Sequence, residues 1–112
     1  MTDSQTTIAN RQGFTDTFTN EYDNDLTAQT VVTPTSGKEI AVKGVFISTE
    51  GTTGFVRVLL GSDTVCTLFA KATQGTSYVP VYVKGARNIP ISITSTLSDG
   101  KNFFVSINYS EE

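Results

Sequence analysis

The sequence contains no histidine, no tryptophan and a single cysteine, Cys66, in 112 residues. Without histidine, the Ser-His-Asp and Cys-His nucleophile arrangements cannot be assembled, and neither can His-bearing zinc sites. One cysteine excludes both a disulfide within the chain and a thiolate cluster. Cys66 sits in the run Thr64-Val65-Cys66-Thr67-Leu68-Phe69, where a lone thiol reads as a small buried hydrophobe with no imidazole to activate it. Charge is scarce as well: 17% of residues are charged, below the roughly 25% of ordinary globular domains. A formal net charge of -3 gives no reason to expect nucleic acid as a partner. No stretch approaches the ~18 consecutive apolar residues of a membrane span. The first residues, Met1-Thr2-Asp3-Ser4-Gln5-Thr6-Thr7, have neither the basic start nor the apolar run of a signal peptide, so the chain is expected to be made in a reducing cytoplasm.

Catalytic and ligand motifs are equally thin. No phosphate loop of the GxxxxGK[ST] or GxGxxG type occurs, because the glycines fall at turns. The acidic run Glu21-Tyr22-Asp23-Asn24-Asp25 lacks the spacing and central glycine of an EF-hand and reads as a solvated segment, with no metal expected. A glycosidase pair drawn from Glu39, Glu50, Asp63 and Asp99 would use acids at strand starts and turns, where solvated charge is the ordinary reading. Arg57, Lys84, Arg87 and Lys101 with Tyr78 and Tyr82 make a weak candidate platform for single-stranded nucleic acid. Asn108-Tyr109-Ser110 fits a glycosylation acceptor, a pattern short enough to arise by chance. No enzyme and no cofactor are expected.

What is present is β pattern. Composition shifts near Gly37: residues 1–36 hold five acids (Asp3, Asp16, Glu21, Asp23, Asp25) and one base, Arg11, for a net of -4, whereas residues 37–112 hold seven bases and six acids. The first segment reads as an acidic N-terminal arm, 1–36, on a nearly neutral body, 37–112. Within the arm Phe14, Phe18 and Tyr22 recur every four residues, but Thr15, Thr17, Thr19 and Asn20 are poor helix formers, so an extended arm with three aromatic anchors is expected. Too little apolar surface lies there to order the arm on its own, so it is expected to dock on a partner, with Asp23 and Asp25 favouring a basic surface.

Beyond the arm the period is two. In Ile40–Ile47, Ile40, Val42 and Phe46 share one side and Lys43, Val45 and Ile47 the other. Val56, Val58 and Leu60 align, as do Val79, Val81 and Val83, then Ile89, Ile91 and Ile93. Phe103, Val105, Ile107 and Tyr109 alternate with Ser106 and Asn108. Glu50–Gly54, Gly61-Ser62 and Asp99-Gly100 supply turn signals, and the first three strands read as consecutive antiparallel neighbours. Pro80 confines its strand to an edge or a bulge. Six or seven short strands without a long helix predict an all-β fold, a single antiparallel sandwich or jelly-roll-like domain with an extended arm, with a closed barrel as the alternative. A body of 76 residues with no disulfide or metal is marginal on its own, which points to oligomerisation. Phe55, Tyr78, Tyr82 and Phe104 fall off the main core face and are either the surfaces buried by assembly or a second layer of the same sandwich.

Three blocks carry a family resemblance: Thr35-Ser36-Gly37-Lys38-Glu39-Ile40-Ala41-Val42-Lys43-Gly44-Val45, Lys84-Gly85-Ala86-Arg87-Asn88-Ile89-Pro90-Ile91, and Phe103-Phe104-Val105-Ser106-Ile107-Asn108-Tyr109. In style they resemble the small β-rich accessory proteins of tailed-phage virions, capsid decoration proteins above all, with tail and fibre components as neighbours. The resemblance implies a jelly-roll-like fold, homo-oligomers with trimers frequent, docking on a capsid or tail lattice and a place in the virion. It carries over no catalytic or ligand residue. A carbohydrate- or receptor-binding module, with Tyr22, Tyr78 or Tyr82 stacking on sugar, is the alternative, and the lack of tryptophan counts against it.

Overall fold

Alternating apolar residues and turn-forming glycines produce eight strands in the computed structural model, which describes residues 15–70, 76–98 and 102–112. They are β1 (Asp16–Tyr22), β2 (Gln29–Val32), β3 (Glu39–Thr49), β4 (Gly54–Leu60), β5 (Asp63–Phe69), β6 (Thr76–Arg87), β7 (Ile91–Leu97) and β8 (Phe103–Glu111). The first sheet has the order β1-β8-β3-β6 and the second β2-β7-β4-β5. Every pairing is antiparallel: β1 with β8, β2 with β7, β3 with β6 and β4 with β5. The chain therefore behaves as one long hairpin, with its tip at Gly61-Ser62, rolled so that its four rungs alternate between the sheets. That connectivity is jelly-roll-like, and no helix occurs among the described residues. Among the described residues both sheets keep open edges, so the sandwich reading holds over the closed barrel.

The core lies between the sheets. Ile40, Val42, Val45, Ile47, Val105 and Ile107 from the first sheet meet Val56, Val58, Ile91 and Ile93 from the second, all fully buried. Each such side chain contributes roughly 1.5 to 3 kcal/mol before conformational entropy is subtracted. Cys66 is buried among them and burial pushes its thiol pKa up, in line with its reading as a small hydrophobe.

Several expectations are corrected. The set Ile40, Val42 and Phe46 does not share a side, because β3 carries one extra residue between Val42 and Gly44 relative to β8. A β-bulge shifts the alternation by one, so Val45 and Ile47 join Ile40 and Val42 on the core while Phe46 turns outward. β3, β4 and β5 are not three neighbours: β4 and β5 pair, but β3 belongs to the other sheet, and 50–53 crosses between sheets. Gly54 ends that crossing at φ +111°, and a Cβ there would run into the Thr96 carbonyl. Asp99 and Gly100 lie outside the described residues; the strands they connect, β7 and β8, sit in different sheets, so this is a crossover and not a hairpin. The Gly61-Ser62 hairpin does form, with φ +65° at Gly61 alone, as a type II′ turn requires. β6 is an edge strand with bulges on either side of Val83, which satisfies both options left open by Pro80.

The expected arm is the largest revision. Residues 16–32 of it supply β1 and β2, one edge of each sheet. Leu26 between them is buried, its N–H donates to Ser95 Oγ at 2.9 Å, and its carbonyl accepts from the Ser95 N–H at 2.9 Å. A thin scatter of apolar residues suffices here because β8 and β7 already offer edges that satisfy the backbone. Residues 1–14 lie outside the described residues.

Candidate interaction surface

The bulge in β3 sets the chemistry of the outer face of the first sheet. Phe46, turned outward, stands opposite Tyr78 of β6 in register and meets Phe104 of β8 edge-on, ring centroids 6.0 Å apart and planes at 71°. Tyr78 leans over Gly44, where an added Cβ would lie 2.9 Å from its hydroxyl. Tyr78 is 57% exposed and Tyr82, further along β6, 62%. Side chains of this size left so open form an amphipathic patch at the edge of the sheet. Toward β1 the same face is polar and interlocked: Thr17 Oγ1 donates to Asn108 Oδ1 at 3.0 Å, and the Thr19 and Ser106 hydroxyls share a bond of 3.2 Å.

The candidate residues do not form one surface. Phe104, Tyr78 and Tyr82 lie on this face, whereas Phe55 lies on the outer face of the second sheet, opposite Phe69 in register. There the Arg57 guanidinium sits 4.4 Å from the Phe55 ring centre and its Nε donates to Thr67 Oγ1 at 3.0 Å. Phe69, 60% exposed, belongs with this second patch and is not among the residues picked from sequence. Phe46 is the other omission, and only its bulge separates it from the core set. Phe18 and Tyr22 are half-buried against the core instead of standing out as anchors. Tyr22 stacks on Phe103, centroids 5.2 Å apart. Four-residue spacing puts residues on one side of a strand as well as of a helix, and here that side faces inward. Asp25 accepts the Leu97 N–H at 2.9 Å, which gives it a turn-holding role, while Asp23 is exposed. Phe14 lies outside the described residues.

The other constellations are dispersed. Glu39 starts β3 and Glu50 follows its end, eleven residues later, roughly 36 Å along an extended strand, against the ~5 to 10 Å between paired glycosidase carboxylates. Arg57 and Lys84 are on different sheets, and Lys84 is held by Glu39 at 3.1 Å and Glu112 at 3.0 Å, which push its pKa up to about 12. Tyr22 and Tyr78 are on opposite edges of one sheet, at least about 14 Å apart by strand spacing alone, so the three tyrosines make no single sugar platform. Two shallow cavities, about 160 and 350 Å³, lie at the Tyr22 end and share Glu21 and Asn102. Asn102 also donates to Glu50 at 2.9 Å. No cluster of three or more His, Cys, Asp or Glu suited to a metal occurs among the described residues.

The fold has a solved counterpart. A chain of the acidic stable capsid structure of Helicobacter pylori bacteriophage KHP30 superposes with a TM-score of 0.63 at 17% identity, over 88% of this chain and 90% of that one. The likeness is one of fold. A chain of the virus-like particle of the Macrobrachium rosenbergii extra small virus aligns over 88% of this chain and 80% of that one at 10% identity, with a TM-score of 0.37, too low to carry weight. No family model and no curated protein matches the chain.

Proposed function

We propose that this chain is a non-enzymatic virion structural protein, a small accessory of the decoration or cementing kind that docks on a larger coat-protein lattice. The observation that carries the reading is the match to a phage capsid chain along nearly the whole of both chains. So little of either chain is left over that the two are of similar length, which supports a small virion component over one domain of a much larger protein. The charge-poor aromatic face of the first sheet supplies a docking area, and Tyr78 and Tyr82 on its edge are the residues proposed to bury there. The functional form is a homo-oligomer, with a trimer favoured, made in the host cytoplasm and located in the virion.

Sedimentation with coat-protein shells assembled without this chain tests the proposal. The chain is expected to travel with the shells. Replacing Tyr78→Ser and Tyr82→Ser together is expected to weaken that association tenfold or more while leaving stability within about 0.5 kcal/mol, as surface substitutions do. A wild-type chain that stays behind when the shells sediment overturns the reading.

A further inference from the structure

The four sheet edges are not alike. β2 is four residues long and carries a register shift between Thr30 and Val32. β5 carries an extra residue opposite Val58-Leu59. β6 carries Pro80 and two bulges, and its Lys84 is tied to Glu39 and Glu112. Bulges, prolines and very short strands are three of the devices, alongside charge, by which edges are kept from pairing with other chains. β1 has none of these three, and its two charges are both acidic. Its seven residues pair with β8 in one uninterrupted register, Asp16 with Tyr109 through to Tyr22 with Phe103, and contain no proline and no cation. Among the described residues no strand lies on its outer side.

We infer that β1 is where the first sheet continues into another chain, by addition of an extended segment of the coat protein. The inference rests on the lattice reading above and assigns it a specific contact. Alternate peptide groups of β1 face away from β8 and offer donors and acceptors in strand spacing. The charged side chains of β1 are Asp16 and Glu21, and Asp23 follows. A second copy of β1 would bring the same two acids to the junction. A segment bearing Lys or Arg would neutralise them, and that is the occupant assigned here.

Two neighbouring proline variants test it in the full chain. Of Thr19 and Asn20, one turns its N–H toward β8 and the other turns it outward, so one of Thr19→Pro and Asn20→Pro loses stability and the other keeps the wild-type melt. The variant that melts normally is expected to bind coat-protein shells at least tenfold more weakly. Asp16→Asn with Glu21→Gln is expected to weaken binding and to flatten its salt dependence. If the normally melting proline variant binds shells as wild type does, the edge assignment is overturned while the lattice reading stands. If wild type itself does not bind shells, both are lost. If that proline variant instead converts a wild-type dimer to monomer, the occupant is a second copy. If hydrogen exchange shows the outward amides of β1 already protected in the isolated chain, its own residues 1–14 cover the edge. Either of the last two results overturns the assignment.

Discussion

The two sheets meet the same core with differently built central strands. In the second sheet β4 and β7 run side by side without interruption from Gly54 opposite Leu97 to Leu60 opposite Ile91. Their inner side chains, Val56, Val58, Leu60, Ile91, Ile93 and Leu97, follow strict alternation and are all buried. In the first sheet the central strands β3 and β8 are longer, 11 and 9 residues, and β3 bulges at Lys43. A long strand in a twisted sheet drifts from its packing partner, and a bulge bends it back. Here it also resets the phase, so that Val42 and Val45, three apart, both face the core and Phe46 is put outside. The regular central pair thus places one ring outside, Phe55 under Arg57, beside the exposed Phe69 of β5. The bulged pair places two rings in contact, Phe46 and Phe104, next to Tyr78 of β6, and the share of the proposed docking face that Phe46 contributes follows from a single inserted residue.

The strongest way to break this contrast is to delete one residue from each central strand. Removing Arg57 from β4 throws either Val56 or Val58 and Leu60 onto the solvent side, since a one-residue slip flips everything beyond it. Loss of one or two such side chains costs roughly 2 to 10 kcal/mol by the large-to-small scale, against a total stability of about 5 to 15, and the variant is expected to melt far below wild type or not to fold. Removing Lys43 from β3 has the opposite logic. Val42, Gly44, Val45, Phe46 and Ile47 then alternate regularly with the same residues inward, and the loss should be confined to about 1 to 3 kcal/mol from mispacking against β6. Circular dichroism and thermal melts of the two deletions check the expectation. Equal damage from both would show that the bulge is not what keeps β3 in phase.

A smaller but still large effect is expected at the edges of the two sheets. A chain beginning after Leu26 lacks β1 and the Leu26 plug, and with them the inward faces of Phe18 and Tyr22. At about 1 to 3 kcal/mol for each apolar side chain, the loss is a large share of the whole. The truncated protein is expected to melt far below the full chain or to be unfolded, whereas a chain beginning after Phe14 retains all eight strands and serves as the control. A cooperative, unshifted melt of the shorter form would restore the arm as an appendage.

These comparisons also mark what could be read from residues alone. Val56-Val58-Leu60 and Phe103-Val105-Ile107 were legible as core because their alternation is unbroken where they pair. Gly61-Ser62 was legible because a two-residue hairpin is local chemistry. The partition into sheets was not, since Glu50–Gly54 suits a hairpin as well as a crossover and only long-range pairing decides. Residues 16–32 looked like an arm because edge strands hold few apolar groups and take their order from neighbours far away in sequence. Of the candidate surface, Tyr78, Tyr82 and Phe104 were found by their place opposite a valine-rich face, while Phe46 was hidden by the bulge and Phe18 and Tyr22 by the ambiguity of a four-residue spacing.

The smallest effects are expected from titration, where carboxylates at the end of the first sheet set the acid limit and Cys66 of the second sheet opens the alkaline one. At the far end of the first sheet, Lys84 holds the Glu112 carboxyl below its ordinary range, and the Thr35 N–H, donating at 2.9 Å, does the same for Glu111. A carboxyl whose folded pKa is depressed adds stability that is complete above the unfolded value, 4.5, and is lost as pH falls below it. On the alkaline side Cys66 in the second sheet acts first. Burial raises its folded pKa, so above 9.0 the unfolded chain gives up the proton more readily and stability declines. Tyr109, raised by burial and by Asp16 and Glu111, follows above 10.0, and Lys84 adds its share between 10.5 and about 12. Melting temperature is therefore expected to be flat between about pH 5 and 9. Glu112→Gln should blunt the acid decline, and Cys66→Val should delay the onset of the alkaline one while leaving the acid side alone. Because Glu112 and Lys84 are exposed, the acid effect is screened and should shrink in high salt. The Cys66 effect arises from burial and should not. An acid limb indifferent to both salt and Glu112→Gln would mean that the carboxylates at the end of the first sheet are not what acid attacks.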